Sequence, residues 1–228
     1  LGGVDGVEII GIVVNEKGAA RALATGTVTT LGYPCSISET FLRRNQNQST
    51  EENESIMKRI KEIAEGSGLK MVAYISMAFG NPYGDSWNEE KVCEAARAIS
   101  HMGVATISLA DTVGAADPEK IHRVVAAVLR DCPECEVGIH MHSTPDAAGA
   151  KVLAAFQAGC RRFDSAIGGL GGCPFAQDAL VGNIPTEKVI DALEEGGVRL
   201  PKRDSLTGIM AMNRAIGDEF SAEHAGAR

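Results

Sequence analysis

VATISLADTVGAADPEKIHRVVAAVLRDCPECEVGIHMH, residues 104–142, is the stretch that decides the fold. It opens on Val104-Ala105-Thr106-Ile107-Ser108-Leu109, a short apolar and β-branched run of strand type. Ala110-Asp111-Thr112-Val113-Gly114 ends that strand in a polar loop. Asp117-Pro118-Glu119-Lys120 then opens a helix, with proline at the first helical position, where its missing N–H is no loss. Glu136 to His142 is a second strand. Strand, helix and strand in succession form a βαβ unit, whose two strands run parallel.

Working outward, the same unit recurs. Upstream, Val7–Val14, Thr27–Leu31 and Met71–Met77 read as strands, and Arg162–Ala166 does so downstream. Asn15-Glu16-Lys17-Gly18 opens a helical run over 19–24. Ser49-Thr50-Glu51-Glu52 starts a helix whose Ile56, Ile60 and Ile63 make an apolar stripe. Further helices are predicted over 89–101, 146–159 and 187–195. Between them, 32–39 reads as a polar loop and Asn45-Gln46-Asn47-Gln48 as a solvated one. Polar residues gather where each strand ends: Asn15, Ser36, Asn81, Asp111 and His142. That edge carries the site in parallel α/β folds.

A Gly-x-Gly-x-x-Gly loop after the first strand would mark an open dinucleotide-binding sheet, and it is absent there. The fold class predicted is a TIM (β/α)8 barrel. Six units are counted where eight are needed, so the chain lacks the first one or two βα units. Residues 1–228 read as a single barrel domain, N-terminally incomplete, with 200–228 as a helical tail of the same domain.

The bulk composition narrows the function. A net charge of −8 argues against a nucleic-acid binder. No apolar run approaches the roughly 20 residues that cross a bilayer, so no membrane partner is expected. Leu1-Gly2-Gly3-Val4-Asp5 has neither a basic region nor a start methionine, which predicts no signal peptide and a chain that begins inside a larger product. Six scattered cysteines point to reduced thiols and a cytoplasmic setting rather than a disulfide framework. Cys132-Pro133-Glu134-Cys135 has no second pair at zinc-site spacing and reads as a loop.

Two features carry chemistry. His140 and His142, two apart at a strand end, present both imidazoles on one face, where they can hold a divalent metal. Cys173 is set among Gly168, Gly169, Gly171 and Gly172, a hinge-rich loop that can bring a thiol over the site. Asn183 follows, just ahead of a helix start, and can complete the metal site.

The blocks AFGNPYGD (78–85), ISLADTVG (107–114), IHMHST (139–144), GGLGGCPFAQ (168–177) and GNIPTE (182–187) together resemble the hydroxymethylglutaryl-CoA lyase family, metal-dependent carbon–carbon lyases on a TIM barrel. By that resemblance His140, His142 and Asn183 are the metal ligands, and Cys173, Asp111 and Glu187 are catalytic. Asp111 also has an ordinary reading, capping the turn at Thr112. Thr186-Glu187 is equally an ordinary helix start.

The reaction implied cleaves 3-hydroxy-3-methylglutaryl-CoA to acetyl-CoA and acetoacetate. An acyl-CoA substrate and a homodimer are implied with it. Imidazole and oxygen ligands suit Mg²⁺ or Mn²⁺, and two histidines also admit Zn²⁺. The His-x-His block is shared with related synthases, aldolases and biotin-dependent carboxyltransferases. A barrel enzyme acting on another oxo acid, or a non-catalytic truncated barrel, are therefore the alternatives. Two departures stand out. The family's opening strand with its Arg-Asp pair has no counterpart here, and Ser143 stands where the family has Asp after the second histidine.

Overall fold

Most helices start where a short polar side chain replaces a missing backbone partner. Asn15 accepts from the Gly18 N–H at 2.8 Å and opens α1 (Glu16–Ala24). Ser38 accepts from the Phe41 N–H at 3.1 Å and opens α2 (Glu39–Gln46). Ser49 and Glu52 form a reciprocal capping box at the head of α3 (Thr50–Gly66). Asn88 and Asp117 cap α4 (Glu89–His101) and α5 (Pro118–Asp131). Each such cap is worth about 1 kcal/mol. α6 (Pro145–Gln157) and α7 (Thr186–Glu195) start without a side-chain cap, and α8 is the tail helix Leu206–Ala225. The computed structural model describes residues 6–171, 181–200 and 206–225, with side chains in the last helix up to 219.

The strands β1 (Ile10–Ile12), β2 (Thr30–Ser36), β3 (Lys70–Ser76), β4 (Thr106–Asp111), β5 (Glu136–Met141) and β6 (Arg162–Asp164) form one six-stranded sheet in that order. Every neighbouring pair is parallel. The expected barrel is present as an open segment of six strands, short of the eight that close a barrel. Among the described residues no helix is long and apolar enough to cross a membrane.

Alternate strand residues face opposite ways. Leu31, Tyr33, Ile75, Ile107, Leu109 and Ile139 join Ile60, Val92, Ile121, Val124, Val128 and Val152 of the helices in the main core. Burying such a side chain is worth about 1.5–3 kcal/mol. On the inner face stand Pro34, Tyr74, Ser76, Ala110, His140 and Asp164.

Deeper on that face the Arg162 guanidinium pairs with Glu136 at 3.1 Å and with Glu8 at 3.6 Å. Arg162 lies across Gly138, where an added Cβ would stand 2.8 Å from its Cδ. Glu8 also accepts from the Thr30 hydroxyl at 2.6 Å.

Three local expectations are corrected. β2 runs through Gly32 and Pro34 to Ser36, past the predicted end at Leu31. Thr30 and Gly32 bond toward β1, through Thr30 N to Ile9 O and Val13 N to Gly32 O. By alternation Pro34 faces the same side, but β1 has already ended there. Its missing N–H therefore breaks no ladder bond.

α2 (Glu39–Gln46) takes in Glu39 of the predicted loop and Asn45-Gln46 of the predicted solvated run, and is buried through Phe41 and Leu42. The Asn/Gln run is not fully solvated either. Gln48 is buried, and Asn53 donates to Gln48 Oε1 at 2.8 Å and to Tyr33 Oη at 2.9 Å. Asn47 takes a left-handed turn at φ 54° to end α2, a conformation its short amide tolerates.

Candidate active site

At the C-terminal ends of the strands lies a cavity of about 560 Å³. His140, His142, Asn183, Asp164, Tyr74 and Thr112 contribute its polar wall, and Ile10, Ile12, Pro34 and Phe41 its apolar one.

The two histidines emerge on one face of the β5 end, with ring centroids 5.4 Å apart and ring planes at 67°. His142 is buried, and its Nδ1 lies 3.0 Å from the Val181 carbonyl oxygen. A carbonyl only accepts, so Nδ1 carries the proton and the lone pair is left on Nε2. Burial holds the His142 pKa below the ordinary histidine value, against the bond to Val181, and His140 beside it pushes the same way as burial. The ring is thus kept neutral, the state a metal ligand needs.

His140 is half-buried. Tyr74 meets it edge-on, with centroids 6.1 Å apart, and Asp164 Oδ2 lies 3.5 Å from its Nδ1. Burial, helped by Asp164, pushes the Tyr74 hydroxyl up to about 12.

Asn183 reaches the histidines because its segment is sewn into the strand ends. Ser143 N donates to Gly182 O at 3.1 Å and Ile184 N to Met141 O at 3.2 Å. Ala166 N donates to Ile184 O at 3.0 Å, and Asn183 N to Gly171 O at 3.1 Å. The Asn183 side chain donates from Nδ2 to Leu170 O at 3.0 Å, so Oδ1 is the atom left for another partner.

The structure thus brings His140, His142 and Asn183 together around one cavity. It places two other expected residues elsewhere. Asp111 ends β4 on the side away from the cavity, almost fully buried. It accepts from Ala116 N at 3.2 Å and from the Lys151 ammonium at 3.0 Å. Its ordinary reading is corrected in detail, since Thr112 is not its partner. The Thr112 hydroxyl accepts from Met77 N at 2.9 Å, beside a Met77 backbone at φ 59°. Glu187 accepts from Gly168 N at 3.1 Å and anchors the 3-10 turn Ile167–Gly169. It does not line the cavity. Cys173 lies outside the described residues. Ser143 donates to Thr144 O at 2.9 Å.

Among the described residues no three His, Cys, Asp or Glu side chains cluster as metal ligands. A site here depends on the amide of Asn183. Two neutral imidazoles and an amide oxygen fit a divalent cation that keeps open positions for substrate or water. Sequence reasoning missed Tyr74, Asp164 and Lys151. Asp164 had one usable signal, a carboxylate within a predicted strand, but its register with His140 is seen only in the structure. Lys151 had none, being one lysine in a helix.

Comparison with known proteins agrees with this fold. Residues 9–216 match the model of the HMGL-like family. The chain is 36% identical over 194 residues to a hydroxymethylglutaryl-CoA lyase of Bacillus subtilis, covering 85% of this chain and 64% of that protein. It is 35% identical over 184 residues to the human mitochondrial hydroxymethylglutaryl-CoA lyase, covering 81% and 56%. The chain therefore spans less than two thirds of the length of these relatives.

The crystal structure of the Bacillus subtilis HMG-CoA lyase superposes with a TM-score of 0.87 at 32% identity, over 97% of this chain and 73% of that one. An HMG-CoA lyase from Acinetobacter baumannii, in complex with coenzyme A and 3-methylmalate, gives 0.84 at 32% identity, over 93% and 69%. Sheet order, strand-end histidines and sequence lead to one place: the chain belongs to the HMGL-like family.

Proposed function

We propose that this chain carries the metal-bearing part of an active site that cleaves 3-hydroxy-3-methylglutaryl-CoA to acetyl-CoA and acetoacetate. The observation that carries the reading is the meeting of His140, His142 and Asn183 at one cavity, in a chain whose relatives are lyases of that name. An acyl-CoA substrate is supported by the coenzyme A bound to the structural relative.

In this reading His140 and His142 hold Mg²⁺ or Mn²⁺ through ring nitrogens and Asn183 through its amide oxygen. When bound, the cation lowers the cost of ionising the substrate hydroxyl and orients the substrate. The chain's own groups do the rest. Tyr74 stays a neutral donor at working pH, because its pKa lies near 12, and it faces the substrate space. Ile10, Ile12 and Phe41 give the substrate space an apolar wall. Cys173 delivers a proton to the carbon left by bond cleavage, a role resting on its place in the glycine-rich stretch. Asp111 and Glu187 support catalysis by holding the frame, Asp111 through Lys151 and Glu187 through Gly168. A cytoplasmic setting and a homodimer belong to the same proposal. The five buried, unpaired cysteines among the described residues support the former, and sedimentation would test the latter.

The test is Mn²⁺ binding followed by electron paramagnetic resonance, beside acetoacetate release from the CoA ester. His140→Ala/His142→Ala should abolish Mn²⁺ retention with helix content intact. Unchanged affinity in that double variant would remove the metal site from this face.

A further inference from the structure

Asp164 ends β6 directly beside His140 of β5. The two are Cα partners in the parallel register, and Asp164 Oδ2 lies 3.5 Å from His140 Nδ1. The carboxylate is itself steered. Ser108 of β4 donates its hydroxyl to that oxygen at 3.2 Å, reaching past β5 at Gly138, its register partner, which has no side chain. His140 is thus flanked on three sides, by the edge of Tyr74, by the His142 ring and by the carboxylate at Nδ1.

A neutral imidazole carries one proton on either nitrogen, and its neighbours choose which. A carboxylate at Nδ1 favours N–H there and leaves the lone pair on Nε2. His142 reaches the same state by another route, with the Val181 carbonyl at its Nδ1.

We propose that Asp164 is the positioning residue of His140. Its carboxylate fixes the Nδ1–H tautomer and the ring direction, so that both histidines offer Nε2 to the cavity. The purpose of this arrangement rests on the metal reading above, but its first readout needs no metal.

The experiment is long-range ¹H–¹⁵N correlation on the metal-free chain with labelled histidine, at a pH where the imidazoles are neutral. In the unsubstituted chain both rings should show protonated Nδ1. Asp164→Ala should turn His140 toward the Nε2–H form that free histidine prefers. His142 should stay unchanged and so report an intact fold. Mn²⁺ affinity should fall about 10–100-fold, the usual loss when an outer partner of a ligating histidine is removed.

Should the alanine variant not fold, Asp164→Asn keeps the shape with a weaker acceptor. It should then give mixed tautomers at His140. Persistence of pure Nδ1–H in every folded variant would make Asp164 a packing residue and overturn the proposal. A tautomer change in a chain that binds no Mn²⁺ would uphold Asp164 and sink the metal reading instead.

Discussion

The Lys151 ammonium stands 3.0 Å from Asp111 Oδ2, with both side chains almost wholly out of solvent. Its remaining donors go to Gly114 O at 2.9 Å and His142 O at 3.1 Å. All three ammonium protons therefore have an acceptor. The end of β4, the loop beyond it and the residue bearing the second imidazole meet at one nitrogen. Gly114 makes the approach possible. It sits at φ 70°, and a Cβ there would lie 3.0 Å from the His142 carbonyl oxygen.

Lys151→Met leaves Asp111 buried without its cation. Breaking a buried pair from one side typically costs about 3–5 kcal/mol. The denaturation midpoint in urea should fall accordingly. Adding Asp111→Asn, which keeps an acceptor for Ala116 N, should recover part of the loss. An unchanged midpoint in the single variant would mean that the pair holds nothing together.

The five cysteines of the described residues should resist thiol reagents. Cys35, Cys93, Cys132, Cys135 and Cys160 are all buried and unpaired. Burial pushes Cys35 up to about 12 and Cys132 and Cys160 up to about 11. Little thiolate forms there at pH 8, and reagent access is poor. In a Cys173→Ser variant Ellman's reagent should therefore titrate no fast thiol. Several fast thiols would contradict the packing described.

The proton-donor role proposed for Cys173 would have a kinetic signature. A serine hydroxyl is a much weaker acid in nearly the same shape. Cys173→Ser should lower turnover about 10²–10⁴-fold with little change in substrate affinity. Near-normal turnover would reduce the thiol to a packing residue.

Gly138→Val tests the interior of the sheet. The new side chain would meet the stem of Arg162, whose Cδ and Cγ already lie 2.8 and 2.9 Å from an ideal Cβ. Overpacking of this kind typically costs about 1–3 kcal/mol. The Arg162–Glu136 pair should break, visible as loss of its 3.1 Å contact in a crystal structure of the variant.

The architecture was legible because its signals are local. Apolar strand runs, helix caps such as Ser49–Glu52, and polar strand ends each sit within a few residues. The histidine pair was legible for the same reason, since two positions apart on a strand fixes a shared face. Gly32 and Pro34 misled because they read as breakers, whereas β1 stops before Pro34 needs a donor. α2 hid in a polar segment whose burial rests on Phe41 and Leu42 alone. Asp164 and Lys151 could not be assigned from the sequence. Their roles depend on strand register and on a lysine folding back from α6, relations that no short window contains.

Among the described residues, each strand pairs only with the strand before and the strand after it in the chain. Every ladder of this sheet therefore closes over one intervening segment. Loop-closure entropy rises only slowly with length, so successive pairings carry similar entropic penalties. The sheet can grow strand by strand during synthesis, each new βαβ unit docking on a finished edge. Assembly of the histidine-bearing rim comes late in that order, because Asn183 and the turn it bonds follow β6. A chain cut before residue 181 would retain all six strands of the sheet but not Asn183.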